Sequence, residues 1–314
     1  MRYMMSVDTK RSADKRMSLK EAVAAFLPDG SSFAIGGSTS RDPFAAIYEI
    51  IRQRKKDLTL VTSLGTDSTN MLFGSGCIKK AEMAYAWIGV IGTGVNLRRA
   101  VEKGIPRKVE LEEYSNYASA CRFLAGAMDL PFMPTRSMLG SDIVNHNPRI
   151  KVIDDPYTGE KLALVPAANP DVAFIHVQEA DIMGNGQIWG ISVNDPNLAR
   201  ASRNVVLTCE RIVPTAKIRR NPSMTAIPFY CVDAVVEVPY GSHPQMVPGE
   251  YWVDIPFRRE FMMKNKTHEG FESWLKEWVY DLADFEEYLE KVGRERLAML
   301  KKMEHDNYTI PDCV

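Results

Sequence analysis

Apolar positions along the chain alternate between helical spacing and short continuous runs. Within residues 19–27 they recur three and four residues apart, which predicts an amphipathic helix. Ser18 and Glu21 precede and begin this helix as a capping box, in which each side chain satisfies a free amide. The same spacing predicts further helices, at residues 44–51, at 115–128 with Ser115 as N-cap, and from residue 195 onward.

Short apolar runs between these helices are rich in β-branched residues and predict strands. Several runs are apolar throughout, without polar positions at every second residue. Because strands covered on both faces lack that alternation, the pattern favours a mostly parallel sheet between helices. The predicted strands are residues 33–35, 58–61, 85–91, 163–165, 172–177, 205–208 and 232–238.

The alternation of strands and helices predicts an α/β fold in one continuous body. Residues 1–17 are polar and are expected to be a flexible N-terminal segment, followed by a single domain over residues 18–314. This domain is expected to end in two helices. The first carries the apolar stripe Phe271, Trp274, Leu275 and Trp278, and the second covers about 284–301. We favour the interpretation that this helix pair packs on the sheet over a role in catalysis. A contact between subunits is compatible with both interpretations.

Composition narrows the partners that the chain can have. Its 39 basic and 40 acidic residues give a net charge of −1 without a long run of one sign, which argues against nucleic-acid or membrane binding. The five cysteines form no Cys-x-x-Cys pair. No disulfide framework or structural metal site is therefore expected, and a cytoplasmic location fits best.

The stretch from residue 29 to 43 contains the first candidate for chemistry. A short strand ends in Gly36-Gly37, and the hydroxyl-bearing residues Ser38 and Thr39 follow. Asp42-Pro43 is expected to cap and start the next helix. A strand, a glycine turn and a helix start can together hold an anion or a carbonyl oxygen. Such a turn also serves, about as often, only to pack a helix on a sheet.

Other small polar residues follow predicted strands, where ligands of open α/β sheets collect. They include Ser63, Ser115, Asn116, Gly140, Ser141 and residues 184–187. None is an evident nucleophile or base, and no phosphate-binding loop, dinucleotide fingerprint or His-Glu-x-x-His motif occurs. His176, inside an apolar run, is expected to be a hydrogen-bonded core residue. The residues alone indicate a binding cleft whose reactive group is missing or is supplied by another chain.

Five blocks of the sequence carry a family resemblance. DGSSFAIGGSTSRDPFAAIYEIIRQ resembles the N-terminal signature of family I CoA-transferase α subunits. EEYSNYASACRFLAGAMDLPFMPTRSMLGSD, IHVQEADIMGNGQIWG, CVDAVVEVPYGSHP and EWVYDLADFEEYL are similar, in this order, to blocks of the glutaconate CoA-transferase α subunit. The resemblance extends from about residue 18 to 300.

This resemblance implies a three-layer α/β/α sandwich with a mostly parallel sheet and C-terminal helices. It also implies a hetero-oligomer of αβ units that moves CoA between an acyl-CoA and a free carboxylic acid, with no cofactor beyond the CoA thioester. In two-chain members the attacking glutamate lies in a Ser-Glu-Asn-Gly motif of the β subunit. That motif is absent here, as expected for an α subunit.

The resemblance also implies a set of substrate-binding residues and no catalytic residue on this chain. The five histidines are too dispersed to suggest a metal site, so no metal is expected. Gly36, Gly37, Ser38 and Thr39 are expected to line the cleft through backbone amides and hydroxyls. Ser115 and Asn116 are expected to orient the acid, with Gly140 and Ser141 nearby. Two departures stand out: Ser38 replaces the family's phenylalanine, and Ile88, before Gly89, stands where a polar serine is expected. The second departure makes glutaconate itself doubtful and favours a more apolar acid.

Two alternatives remain open. One is a subunit of an acyl-CoA or ring-opening CoA hydrolase of the same superfamily. Ser115-Asn116 argues against it, because related hydrolases place an acidic residue there. The other is a catalytically silent scaffold subunit, for which changes at Ser38 and Asn116 have no effect while changes at Trp274 and Trp278 disrupt assembly. Ser115 could also be a helix cap without any catalytic role.

Overall fold

The computed structural model describes residues 14–87 and 92–307. Residues 1–13 of the expected flexible segment, and the candidate residues Ile88 and Gly89, lie outside the described part. Residues 14–17 are not flexible as expected but are held against the strand Ala234–Glu237. The Met17 amide donates to the Val235 carbonyl, and the Val235 amide donates to the Lys15 carbonyl.

The described strands and helices alternate along most of the chain. The strands are β1 (Ser32–Ile35), β2 (Leu58–Val61), β3 (Leu64–Gly65), β4 (Ile78–Met83), β5 (Tyr85–Ala86), β6 (Glu110–Glu113), β7 (Phe132–Thr135), β8 (Lys151–Asp154), β9 (Lys161–Pro166), β10 (Val172–Ala180), β11 (Gly186–Gln187), β12 (Asn204–Ile212), β13 (Thr225–Ile227) and β14 (Ala234–Glu237). The helices are α1 (Leu19–Phe26), α2 (Phe44–Arg52), α3 (Asp67–Ser75), α4 (Val95–Arg98), α5 (Asn116–Ala127), α6 (Ile143–His146), α7 (Asp195–Ala201), α8 (Thr215–Ile218), α9 (Ile255–Lys264), α10 (His268–Leu275), α11 (Phe285–Val292) and α12 (Arg294–Asn307).

The main sheet is built around β1. Parallel strands lie side by side in the order β14-β12-β10-β1-β2-β4-β6, and the short strands β11 and β13 add antiparallel pairs beyond β10. The chain thus proceeds from β1 to one side and later returns to its other side. A crevice forms outside the carboxyl ends of the strands at such a reversal, where α/β proteins bind ligands.

The sheet is buried on both faces, as its apolar runs predict. Phe33 belongs to a core that includes helices α1, α2, α3 and the C-terminal helices. The next residue, Ala34, belongs to a second core with Phe123 of α5 and Leu198 of α7. Because successive strand residues point to opposite faces, one strand supplies both cores. The capping box of Ser18 and Glu21 is present as predicted.

Several predicted elements differ from the structure. Residues 163–165 lie in β9, which pairs antiparallel with β7 and β8 in a separate small sheet and not in the main sheet. Strand β4 was not predicted, because Lys79, Lys80 and Glu82 interrupt its apolar positions. The predicted helix at 284–301 is two helices, since Gly293 at φ +97° separates α11 from α12.

The C-terminal aromatic residues form a buried cluster. The ring centroids of Phe257 and Trp278 are 4.8 Å apart, and those of Trp274 and Trp278 are 5.4 Å apart. Trp274 is 1% exposed and Trp278 8% exposed, so this stripe packs in the core, as favoured from the sequence. In the described part of the chain, none of the helices has the length and apolar character needed to cross a membrane.

Candidate active site

The loop after β1 has an unusual backbone. Gly37, Thr39 and Arg41 have φ values of +78°, +67° and +61°, in the left-handed region that non-glycine residues rarely adopt. Such a conformation persists only where the surrounding contacts hold it. At Gly37 a Cβ atom would lie 2.7 Å from backbone atoms of Ser40, Arg41 and Asp42. This position therefore requires glycine for both conformation and space.

A buried ion pair holds this loop against the start of α7. The Arg41 guanidinium, 0% exposed, donates from Nη1 to Asp195 Oδ2 at 2.7 Å. Asp195 Oδ1 accepts from the Gly37 amide at 2.9 Å. Arg41 also donates to the carbonyl oxygens of His176 and Ile191, at 3.1 and 2.6 Å. These bonds join the glycine loop, strand β10 and residues 191–195 into one wall.

A pocket opens beside this wall, at the carboxyl ends of β1 and β2. Its lining consists of Ile35, Gly36, Gly37, Ser38, Asp42, Thr62, Ser63, Leu64, Asn116, Phe123, Val193, Asn194, Asp195 and Leu198. Four stretches that are separate in sequence meet here: the end of β1, the end of β2, helix α5 and the start of α7. The Asn194 side chain donates to Ser63 Oγ at 3.0 Å and ties two of these stretches together.

The structure brings some of the expected site residues together and not others. Gly36, Gly37, Ser38 and Asn116 line the pocket, while Thr39, Ser115, Gly140 and Ser141 do not. Of residues 184–187, none lines the pocket either, and Gln187 instead donates to backbone carbonyls of Ile218 and Asn221.

The two serines outside the pocket have local roles. Ser115 Oγ caps α5 by accepting from the Ala118 amide at 3.0 Å and bonds to Ser137 Oγ. Ser141 Oγ donates to the Met138 carbonyl. These contacts are those of a helix cap and a turn.

The backbone amides of Gly36, Gly37 and Ser38 are not free to bind a ligand as expected, because each is already hydrogen-bonded within the protein. The Gly36 amide donates to the Phe174 carbonyl at 2.8 Å, the Gly37 amide donates to Asp195, and the Ser38 amide donates to the Ser40 carbonyl. The glycines instead provide room, since a Cβ on Gly36 would lie 2.9 Å from Asp195 Oδ1. The groups available to a ligand are side-chain hydroxyls and amides.

Asp42 is a pocket residue that the sequence interpretation assigned to a different role. It does not cap α2 with its side chain; Pro43 occupies the N-cap position without a side-chain hydrogen bond. Its Oδ2 accepts from Thr66 Oγ1, from Ser68 Oγ at 2.6 Å and from Gln245 Nε2 at 3.2 Å. Its Oδ1 is buried and has no hydrogen-bond partner among the described residues.

Burial raises the pKa of the Asp42 carboxyl from 3.8 to about 6, although hydrogen bonds from Ser68 and Thr66 lower it. The folded state thus holds this proton more tightly than the unfolded chain does. Consequently, the contribution of Asp42 to stability falls as the pH rises from about 4 through about 6.

We expect Asp42→Asn to stabilise the protein at pH 8. The difference between pKa values of 3.8 and about 6 corresponds to about 3 kcal/mol. The asparagine carbonyl can still accept from Thr66 and Ser68. Urea unfolding at pH 4 and pH 8 measures the effect, which should shrink at the lower pH. Equal stability of wild type and variant at pH 8 would show that the buried charge is not costly.

His176 is a core residue, as predicted. It is 0% exposed and bonds to Thr208 Oγ1 at 2.9 Å and to Glu210 Oε1 at 2.8 Å. The described residues contain no group of His, Cys, Asp and Glu that could hold a metal ion.

Comparison with known proteins identifies the family to which this chain belongs. Residues 16–238 match the family model described as Coenzyme A transferase. The chain belongs to the coenzyme A transferase family. It is 38% identical to a glutaconate CoA-transferase subunit of Acidaminococcus fermentans, over 91% of this chain and 94% of that one. It is 39% identical to a 3-oxoadipate CoA-transferase subunit of Pseudomonas knackmussii, over 88% and 98% of the two chains.

The fold of this CoA-transferase family member agrees with a solved structure. The crystal structure of the A. fermentans glutaconate CoA-transferase matches with a TM-score of 0.87 at 37% identity, over 91% of this chain and 95% of that chain. An uncharacterized protein of Archaeoglobus fulgidus is 43% identical over 94% of this chain. The matched region covers 66% of that protein's length. The family resemblance and the α/β fold with a mostly parallel sheet are confirmed.

Proposed function

We propose that this chain is the α subunit of a heteromeric, cytoplasmic CoA-transferase that needs no cofactor beyond the CoA thioester of its substrate. The main support is what the pocket contains and what it lacks. Hydroxyl groups of Ser38 and Ser63 and the amide of Asn116 can orient a carboxylic acid. The described lining has no cysteine, lysine, histidine or glutamate. Its two carboxylates are Asp195, which is paired with Arg41, and Asp42, which is only 2% exposed; this supports a nucleophile supplied by a partner chain.

In this proposal the β subunit supplies a glutamate, which attacks the acyl-CoA carbonyl and expels CoA thiolate, forming a mixed anhydride. The thiolate then attacks the glutamyl carbonyl, which releases the first acid and leaves a glutamyl-CoA thioester. The acceptor carboxylate repeats these two steps in reverse and leaves as the new acyl-CoA. Two easier displacements replace one difficult exchange. The α chain contributes by holding the acid in position.

Native mass spectrometry of the tagged chain, purified gently from its own host, tests the proposal. A stoichiometric second chain with a Ser-Glu-Asn-Gly motif, in a complex that transfers CoA to an added acid, supports it. Release of free CoA without an acceptor acid supports the hydrolase alternative. Recovery of the chain alone, intact, contradicts its assignment as an α subunit.

We expect Asn116→Ala to raise KM for the acceptor acid or to lower kcat at least tenfold in the assembled enzyme. A lost hydrogen bond to a charged group is worth ~1.5–3 kcal/mol. Asn145→Ala is the matched control, because Asn145 is also exposed but lies in α6, outside the pocket lining. Steady-state kinetics with varied acid measure both; unchanged constants for Asn116→Ala would remove this residue from the site.

A further inference from the structure

The pocket has an outer and an inner end that differ in burial. At the outer end Asn116 is exposed and Val193 is 45% exposed. At the inner end Asp42 is 2% exposed, Thr62 6% and Asp195 1%. A ligand that enters from solvent therefore places its far end among groups that are shielded from water.

The inner end carries negative charge without a free cation. Among the described lining residues none is lysine, arginine or histidine, and two are aspartates. Asp195 is neutralised by Arg41, whose guanidinium is also bonded to two backbone carbonyls. Arg41 keeps a buried Nε without a hydrogen-bond partner among the described residues, but it is not among the residues that line the pocket.

Asp42 has no such neutralising partner. Its three hydrogen-bond donors, Thr66, Ser68 and Gln245, are uncharged. The nearby Asp67 raises the pKa of Asp42 further, and the arginine close to Asp67, Arg258, donates to Asp67 itself. The orphaned Oδ1 of Asp42 is an acceptor that needs a donor.

We propose that Asp42 makes this pocket select monocarboxylic acids, whose acyl chain carries an apolar or hydroxyl-bearing end and no second carboxylate. This inference rests on the proposed function. The reacting carboxylate must meet the partner's nucleophile and so lies at the outer end, while the rest of the chain extends inward. A second carboxylate would face Asp42 in a site with little water, where like charges repel strongly. A hydroxyl group can donate to Asp42 Oδ1.

This specificity differs from that suggested by the names of two relatives, since glutaconate and 3-oxoadipate are both dicarboxylates. Family membership therefore does not determine the acid. The charge at the inner end of the pocket determines which acid is used, and Asp42 is the specificity-determining residue.

CoA transfer by the assembled enzyme to three acids of equal chain length tests the inference. The acids are pentanoate, 5-hydroxypentanoate and glutarate. We expect kcat/KM for each monocarboxylate to exceed that for glutarate about 30-fold. Asp42→Asn should narrow this ratio about tenfold, mainly by lowering KM for glutarate. Asp171→Asn, which makes the same charge change at the opposite, amino end of the strands, should leave the ratio unchanged.

Glutarate used as well as pentanoate by the wild type overturns the inference and leaves the proposed function standing. An unchanged ratio in Asp42→Asn overturns the role of Asp42. If Asp42→Asn fails to assemble, the wild-type selectivity alone still decides the substrate class. An assembled complex that transfers CoA to none of the three acids, nor to acetate, refutes the proposed function, and this inference with it.

Discussion

Replacing Gly37 by alanine is expected to lower kcat/KM for CoA transfer by about 100-fold or more. The new Cβ would lie 2.7 Å from three backbone atoms of residues 40–42, and backbone cannot move aside as a flexible side chain can. The loop must shift, which breaks the hydrogen bond from the Gly37 amide to Asp195. The wall formed by the glycine loop and residues 191–195 then moves. Kinetics of the assembled enzyme, normalised to folded protein, measure the loss.

Gly30→Ala is the matched control for this change. Gly30 has a similar φ of +81°, but a Cβ there meets no atom within 4 Å. Both variants therefore carry the conformational cost of a left-handed alanine, about 1–2 kcal/mol, and only Gly37→Ala adds the clash. Activity per folded molecule should be normal in Gly30→Ala. If the two variants were equally active, the glycine loop would not belong to the site.

Arg41→Met is expected to lower the free energy of unfolding by about 3–5 kcal/mol. The guanidinium is fully buried and donates to Asp195, His176 and Ile191. Its removal leaves the Asp195 carboxylate in the interior without a counter-charge. Urea denaturation at pH 7 measures the loss. Arg16→Met is the control, because the Arg16–Asp14 pair is exposed, with side-chain exposures of 57% and 45%, and should cost under about 1 kcal/mol.

A double variant separates two contributions to the stability lost in Arg41→Met: the uncompensated charge of Asp195 and the lost packing of the arginine side chain. Asp195→Asn removes the charge but keeps an oxygen that can accept from the Gly37 amide. Added to Arg41→Met, it should recover part of the lost stability, because the uncompensated carboxylate is gone. A double variant less stable than Arg41→Met would show that the charge of Asp195 is not the source of the loss.

The sequence predicted the framework of the fold better than the geometry of its pocket. Strands β1 and β10 each contain a continuous apolar run, residues 33–35 and 172–175, and these residues are buried as that pattern predicts. Strand β4 was missed because charged side chains at its exposed positions mask the period. The break at Gly293 was missed because the apolar spacing continues on both sides of it.

Within the pocket, the sequence pointed to the loop but not to its charged residues. Gly36, Gly37, Ser38 and Asn116 were expected from turn chemistry and family resemblance, and all four line the pocket. For Asp42 and Asp195 the sequence predicts only helix starts, since both precede apolar helical spacing. Their partners Thr66, Gln245 and Arg41 are chosen by tertiary contacts that no local pattern encodes. A signal did exist: two charged residues, Arg41 and Asp42, stand between the glycine turn and the apolar helix α2.

The central position of β1 has a consequence for synthesis of the chain. Its neighbour β2 follows within a few dozen residues, but its other neighbour is β10, and 139 positions separate the bonded residues Ser32 and Asp171. While the ribosome is still adding the intervening residues, one edge of the innermost strand is open to any other strand. A nascent or truncated chain that stops before β10 thus exposes an edge of β1 that the finished molecule covers.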